Sequence, residues 1–309
     1  MFEFKSDNYI CNNRNSMRIL YEKLRINLLE YTINFFKTNN FIYVDPPILH
    51  EHIDNKNDTF DILIDNKLYT LNSSNAIYLA KYASMFNKVF SISPCFRKEN
   101  KVSNSHLFEF RMLEVEGFYL NFDDIINILF NYIKSFIESL LDIKEFIFLL
   151  DRINNILINL RLNIITYNDF ILYLNKKKYN INYGDDISNL EIDISFISKS
   201  PIFIVDYPTK LASWTALKKN KDTSFAFNLL LPEHYGELAE GCQRNNDYIF
   251  YQEKFTSANI KILNWFLEII KENSNIRSGF GMGIERLLRW ILNVKKISDT
   301  LIFPRFAFE

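Results

Sequence analysis

One short segment constrains the fold most, because it has the pattern of a strand with two acidic groups on an apolar face. Residues 106–118 read HLFEFRMLEVEGF. Alternate side chains of a strand share a face, and the face with Glu114 and Glu116 also carries Phe108, Phe110, Met112 and Phe118. A buried carboxylate without a partner is strongly destabilising. The pattern therefore predicts that the two glutamates meet a cation, a hydrogen-bond donor or a ligand.

The rest of the pattern predicts an α+β fold, in which an antiparallel β-sheet is flanked by helices. Apolar residues at helical spacing over residues 16–38 predict a helix that ends at Asn39-Asn40. Asp123 and Asp124 predict the cap of a second, amphipathic helix. Strands are predicted in FIYVDPPIL, 67–72, 88–93, 107–119, PIFIVDYP and FAFNLLLP, and a helix in ANIKILNWFLEIIKEN.

The length of 309 residues is long for one hydrophobic core and short for two full domains. We therefore expect one domain over residues 1–309, with an insertion at 143–200. That segment is rich in Asn, Lys and Ile and less regular than its surroundings.

Composition and charge exclude several classes of protein. A hydrophobic fraction of 48% argues against disorder, and a net charge of −1 gives no global sign of nucleic-acid binding. The three cysteines form no Cys-x-x-Cys pair, and the chain has no apolar run long enough to cross a bilayer. The N-terminus lacks the apolar core of a signal peptide. We expect a cytoplasmic protein that does not contact membranes.

Two charged segments are each weak evidence of chemistry. CFRKEN places Arg97 and Glu99 on one face of a strand, and an arginine can hold a phosphate through its fork of N–H donors. GELAEGCQR places Glu237 and Arg244 around small residues. Taken alone, the first segment fits a surface salt bridge and the second fits a solvated loop.

A third segment, SGFGMGIERLLRW, concentrates glycine in a predicted strand. Gly279, Gly281 and Gly283 alternate there, although the whole chain has only seven glycines. Glycine weakens a strand interior unless something must approach closely. The spacing is G-x-G-x-G and lacks the acidic residue of a dinucleotide-binding βαβ unit, which disfavours that fold.

In their order, these segments resemble class II aminoacyl-tRNA synthetases, and within that class the asparaginyl-tRNA synthetases. FFKTNNFIYVDPPIL resembles motif 1, FRKEN and HLFEFRMLEVEGF together resemble motif 2, and GELAEGCQR, GFGMGIERLL and FPR follow in family order. The resemblance extends from about residue 14 to the C-terminus. It implies an ATP-dependent ligase that uses Mg²⁺, forms an acyl-adenylate, releases pyrophosphate and assembles as a homodimer.

The resemblance also implies roles for individual residues. The implied ATP-binding residues are Arg97, Glu99, His106, Phe110, Glu237, Gly283 and Arg286. Arg97 would hold the α-phosphate and Arg286 would stack on adenine opposite Phe110, which makes the two arginines the implied catalytic residues. The implied amino-acid pocket consists of Ser73, Asn75, Glu114 and Arg244. Glu237 and Glu116 are the implied Mg²⁺ ligands.

The implied pocket favours asparagine as the substrate. Glu114 opposite Arg244 suits a carboxamide, because the glutamate accepts from the NH₂ group while the arginine donates to the C=O group. Two departures concern the residues around it: the family's SGQ appears as Ser73-Ser74-Asn75, and Asn228 replaces an aspartate.

A third departure concerns the acyl acceptor. The family's tRNA ligases begin with a β-barrel that binds the anticodon, whereas the motif 1-like helix begins almost at once here, so we expect weak or absent dependence on the anticodon. We expect activation of asparagine, or a close analogue, with transfer to a non-tRNA acceptor or minimal charging of tRNA. Two alternatives stay open: amidation of aspartate with ammonia through a side-chain adenylate, and an asparagine–tRNA ligase without the anticodon domain.

Overall fold

The computed structural model describes residues 16–51, 59–98, 103–187, 194, 197–257 and 263–305. The helices and strands before residue 140 are α1 (Ser16–Thr38), β1 (Ile42–Tyr43), β2 (Leu49–Glu51), β3 (Asp61–Ile64), β4 (Lys67–Leu71), α2 (Ala76–Phe86), β5 (Lys88–Phe96), β6 (Glu109–Phe118) and α3 (Phe122–Ser139). Those after it are α4 (Leu150–Asn159), β7 (Asn163–Thr166), α5 (Tyr167–Lys176), β8 (Ile202–Pro208), β9 (Thr223–Leu231), β10 (Gly236–Gln243), α6 (Tyr248–Ser257), α7 (Asn264–Glu272), β11 (Arg277–Gly283) and α8 (Ile284–Ile291).

Eight strands form one sheet, in the order β1-β5-β6-β11-β10-β9-β8-β7. The inner strands pair antiparallel, and only the edge strands β1 and β7 pair parallel to their neighbours. A smaller sheet has the order β2-β4-β3. This arrangement confirms the predicted α+β class, with an antiparallel-dominated sheet flanked by helices.

One face of the large sheet packs against α1, α3, α4 and α8. Leu113 and Val115 of β6 and Phe280 and Met282 of β11 are buried in this main core. Because side chains alternate along a strand, the glutamates of β6 and the glycines of β11 lie on the opposite face. That opposite face carries the site described below.

The two predicted helix ends differ in how closely they match the structure. Helix α1 spans the predicted residues and ends where Asn40 adopts a left-handed φ of 63°. Helix α3 is capped by Asn121, whose side chain accepts a hydrogen bond from the Asp124 amide at 3.0 Å. Asp124 completes the capping box by accepting from the Asn121 amide. The cap predicted at Asp123-Asp124 thus begins two residues earlier.

Two segments fold differently from the prediction, and a third contributes a strand that was not predicted. FIYVDPPIL contributes only the two-residue β1 to the large sheet, since prolines supply no backbone N–H for a continuing ladder. The expected insertion at 143–200 adds β7 to the edge of that same sheet. GELAEGCQR, which fits a solvated loop when taken alone, forms the inner strand β10. Within the described ranges, no helix is long and apolar enough to cross a membrane.

Candidate active site

A cavity of about 630 Å³ lies on the face of the large sheet opposite the main core. Strands β6, β9, β10 and β11, the start of α8 and the loop before α2 all contribute to its lining. The predicted site residues that line it are Ser73, Arg97, His106, Phe110, Glu114, Glu116, Glu237, Arg244, Gly283 and Arg286. Residues far apart in the sequence are thus brought to one concave surface, as in most ligand-binding sites. Glu99 lies outside the described residues.

Strand register explains why glycine alternates along β11. Glu114 lies opposite Gly281 and Glu116 lies opposite Gly279. A Cβ atom at Gly279 would be 2.1 Å from Glu116 Oε2 and 2.9 Å from Arg244 Nη2. Gly279 therefore leaves the space in which this glutamate and this arginine meet.

Glu116 is the centre of a buried charge cluster. Its Oε2 accepts from Arg244 Nη2 at 3.0 Å and its Oε1 accepts from Arg277 Nη1 at 2.7 Å. Only 1% of the Glu116 side chain is exposed. Both oxygens are therefore engaged by arginines, and this geometry argues against the Mg²⁺ role predicted for Glu116. Arg244 itself contacts Glu116, and the arrangement of Glu114 and Arg244 on opposite sides of a substrate amide stays a prediction.

Glu114 is held by the loop that precedes α2. Its carboxylate accepts from Ser74 Oγ at 2.5 Å and from the Asn75 backbone N–H at 2.9 Å. Burial raises the pKa of the Glu114 carboxyl, while these donors act to lower it. The Asn75 side chain is fully buried, and its Oδ1 is 3.1 Å from His50 Nε2. Asn75 thus supports the cavity wall from behind, whereas the sequence placed it on the surface of the pocket.

Glu237 and Arg286 form the second charged group of the cavity. Arg286 Nη1 donates to the Glu237 carbonyl oxygen at 2.8 Å and to its Oε1 at 3.3 Å. Asn228 Nδ2 donates to Glu237 Oε2 at 2.6 Å. Burial and the nearby charge of Glu240 raise the pKa of the Glu237 carboxyl, and Arg286 opposes this shift.

The Glu237 environment fits Mg²⁺. Glu237 and Glu240 both line the cavity, and a cation would offset the burial and the mutual repulsion of their charges. The described part of the chain has no group of three or more His, Cys, Asp or Glu residues placed to hold a metal. Mg²⁺ does not need one, since it commonly binds one or two carboxylates together with substrate phosphates.

Three further predicted ATP-binding residues, Arg97, His106 and Phe110, lie near the end of β5 and the start of β6. The backbone N–H of Arg97 donates to the Phe108 carbonyl at 3.0 Å, which ties the two chain segments together. Phe110 lies opposite Cys95 in the β5–β6 ladder. His106 Nδ1 is 2.8 Å from Ser103 Oγ. The cavity therefore offers a cation, an aromatic ring and an imidazole on the same side.

Residues 3–307 match the family model of class II tRNA synthetases (D, K and N). The chain belongs to this family. The class II synthetase chain is therefore an ATP-dependent ligase that uses Mg²⁺, forms an aminoacyl-adenylate and yields pyrophosphate and AMP.

Two relatives of this class II synthetase have names that specify asparagine. An asparagine–tRNA ligase from Lactobacillus johnsonii is 29% identical over 296 residues, which cover 92% of this chain and 68% of that protein. The asparaginyl-tRNA synthetase of Pyrococcus horikoshii, solved with asparaginyl-adenylate, superposes with a TM-score of 0.90 at 26% identity, covering 97% of this chain and 71% of that one. An aspartyl-tRNA synthetase from Entamoeba histolytica superposes with a TM-score of 0.79 at 18% identity, covering 99% of this chain and 63% of that one. At this identity the likeness supports a shared fold and no more.

Sequence reasoning missed three residues of this class II synthetase site. Arg277 stands at the start of a strand and Thr215 in a loop, and neither position carries a local signal. The tertiary fold brings both next to predicted site residues. Arg277 donates to Glu116, and Thr215 Oγ1 accepts from Arg244 Nη1 at 3.0 Å. His50 lines the cavity and is mostly buried.

Proposed function

We propose that the chain is an asparagine–tRNA ligase, which activates asparagine with ATP and transfers it to tRNA. One observation carries the proposal: Glu114 and Arg244, an acceptor and a donor suited to a carboxamide, share a cavity with Arg97 and Arg286. The relatives named above, including the one solved with asparaginyl-adenylate, support the same substrate.

The activation step needs positioning and charge stabilisation more than acid–base chemistry. The substrate carboxylate is ionised at neutral pH, so its oxygen attacks the α-phosphorus without a general base. The bond from that phosphorus to the bridging oxygen breaks, and pyrophosphate leaves. Arg97 stabilises the charge on the α-phosphate oxygens, and Arg286 and Phe110 hold the adenine ring between them. Glu237 would hold Mg²⁺, which would supply positive charge to neutralise the phosphates.

Side-chain recognition rests on Arg244 and Glu114. Glu116 engages one N–H of Arg244 Nη2, and within the described ranges the second N–H has no protein acceptor. That N–H donates to the amide oxygen of asparagine, and the Glu114 carboxylate accepts from the amide NH₂. An aspartate side chain would instead bring a second carboxylate to Glu114, which costs free energy through repulsion.

Among the acceptors expected from the sequence, we propose tRNA. The named relatives are tRNA ligases, and nothing in the described structure supports the expected non-tRNA acceptor. The test is to incubate the enzyme with ATP, labelled asparagine and a transcript of asparagine tRNA. We expect label in the tRNA. Formation of the adenylate without charging of any tRNA would contradict the proposal.

The substitution Glu114→Gln tests side-chain recognition. Glutamine keeps the size of the side chain but removes the charge that favours asparagine over aspartate. We expect the asparagine preference, measured as the ratio of kcat/KM values in pyrophosphate exchange, to fall by roughly tenfold, the effect of losing one charged hydrogen bond. The KM for ATP should stay the same.

The control for Glu114→Gln is Glu145→Gln, which changes a surface glutamate paired with Lys23. This variant should keep the wild-type preference. An unchanged preference in Glu114→Gln would show that the carboxylate does not contact the substrate amide.

We also propose that the chain forms a homodimer through α1 and β1. These two elements expose the apolar side chains of Ile19, Ile26, Ile42 and Tyr43, and a two-fold dimer is the commonest symmetric way to cover such a surface. Light scattering should give twice the chain mass of 36.8 kDa. Ile42→Glu should shift the mass towards the monomer, whereas Ile158→Glu, at an exposed site on α4, should not. A monomeric mass for the wild type at micromolar concentration would contradict the dimer.

A further inference from the structure

Arg277 is a charged residue buried beneath the amino-acid side of the cavity. Only 2% of it is exposed, and its guanidinium lies 5.8 Å from the ring centroid of Phe118 and 6.0 Å from that of Phe266. Its Nε and Nη2 atoms have no hydrogen-bond partner among the described residues. Buried donors without acceptors destabilise the folded state, so stability alone does not explain this arginine.

A continuous chain of charged contacts connects Arg277 to the cavity. Arg277 Nη1 donates to Glu116 Oε1, and Arg244 Nη2 donates to Glu116 Oε2. The Nε of Arg244 also lies between the two oxygens, at 3.2 and 3.3 Å. Glu116 is therefore shared between a cation in the interior and a cation that lines the cavity.

Sharing one carboxylate changes what Arg244 can offer a ligand. Arg244 and Glu116 alone would form a neutral pair, and both carboxylate oxygens would be open to the Arg244 guanidinium. Arg277 instead shares Oε1 with Arg244 Nε, so one carboxylate serves two arginines and one net positive charge is left among these three groups. In a buried environment this charge is weakly screened. Arg244 thus keeps both an N–H and a net attraction for an oxygen atom of the substrate side chain.

We propose that Arg277 is a positioning residue for amino-acid recognition, acting through Glu116 to orient Arg244. The inference rests on one part of the proposed function, namely that Arg244 contacts the side chain of the amino acid. It assigns Arg277 no contact with ATP. A purely structural arginine would change stability but not the separate affinities for the two substrates.

The test compares KM values in pyrophosphate exchange for wild type, Arg277→Met and Arg277→Lys. Methionine keeps an apolar stem of similar length and removes the charge. We expect the amino-acid KM to rise about tenfold or more, the effect of disturbing a charged hydrogen bond, with the KM for ATP within about twofold. Lysine keeps the charge without the planar fork and should give a smaller rise in the amino-acid KM.

Two controls separate positioning from folding. Arg152→Met removes another arginine bound to a glutamate, Glu233, at 2.6 and 2.9 Å outside the cavity. It should lower the melting temperature and leave both KM values unchanged. In a Glu116→Gln background, Arg277→Met should add little to the amino-acid KM, because the effect passes through Glu116.

The comparison is made with whichever amino acid the wild-type chain activates, so an error in the assigned substrate does not affect it. An amino-acid KM within about twofold of wild type in every folded Arg277 variant would overturn the inference, as would equal rises in the KM values of both substrates. In either case the asparagine assignment would still stand on its own exchange data.

Discussion

Replacing Arg97 by alanine is expected to reduce amino-acid-dependent pyrophosphate exchange by about a hundredfold or more, the effect of removing one preorganised donor to transition-state charge. Arg97 lines the cavity at the end of β5, where its backbone is fixed to Phe108. Attack on the α-phosphorus increases the charge on the phosphate oxygens, and the guanidinium fork is suited to that charge. The loss should therefore appear in kcat more than in the KM of the amino acid.

The neighbouring residue supplies the control for this substitution. Lys98 is exposed and does not contribute to the cavity lining. Lys98→Ala removes a positive charge from the same strand end and should retain wild-type exchange. Full exchange in Arg97→Ala would show that the α-phosphate is held by another group.

The second large effect is expected from Gly279→Ala. The added methyl group would lie 2.1 Å from Glu116 Oε2 and 2.5 Å from the Val115 backbone oxygen. The backbone oxygen cannot move without separating β6 from β11, so the free energy of unfolding should fall by roughly 1–3 kcal/mol from overpacking alone. Disruption of the buried Glu116–Arg244 pair adds to this loss. Denaturant unfolding measures the stability, and exchange measures the accompanying loss of amino-acid affinity.

Gly281→Ala is the matched stability control, since Gly281 is the next glycine on the same face of β11. A methyl group there meets the end of the flexible Met112 side chain, with Cε at 2.9 Å. That side chain can move, so the loss of stability should be clearly smaller than in Gly279→Ala. Equal losses would mean that the space around Glu116 is not what requires glycine at position 279.

The sequence predicts most clearly those features that depend on local periodicity. Helix α1 follows from apolar spacing over residues 16–38, and its end follows from Asn39-Asn40. Alternation along β6 places Glu114 and Glu116 on one face and predicts that both need partners. The identity of those partners depends on tertiary structure, because Arg244 and Arg277 are 128 and 161 residues away from Glu116.

Asn228 and Cys242 show their roles only in the structure, where each contacts a charged residue of the site. Asn228 donates to Glu237 in the ATP-side group, and Cys242 Sγ accepts from Arg244 Nη1 at 2.9 Å. Burial raises the pKa of the Cys242 thiol, which keeps it neutral beside the arginine. Asn228 thus supports Glu237 and Cys242 supports Arg244, two charged residues that the sequence predicts for the site. The charged groups of the site are retained beside both residues.

The central claim is that the chain activates asparagine, and pyrophosphate exchange across single amino acids tests it most directly. Parallel reactions contain ATP, labelled pyrophosphate and either asparagine, aspartate, or aspartate with ammonia. We predict asparagine-dependent exchange that exceeds the aspartate reaction by roughly tenfold to a hundredfold, as a charged hydrogen bond to the amide would produce. No exchange with asparagine, together with formation of asparagine from aspartate and ammonia, would contradict the claim and favour the amidating alternative.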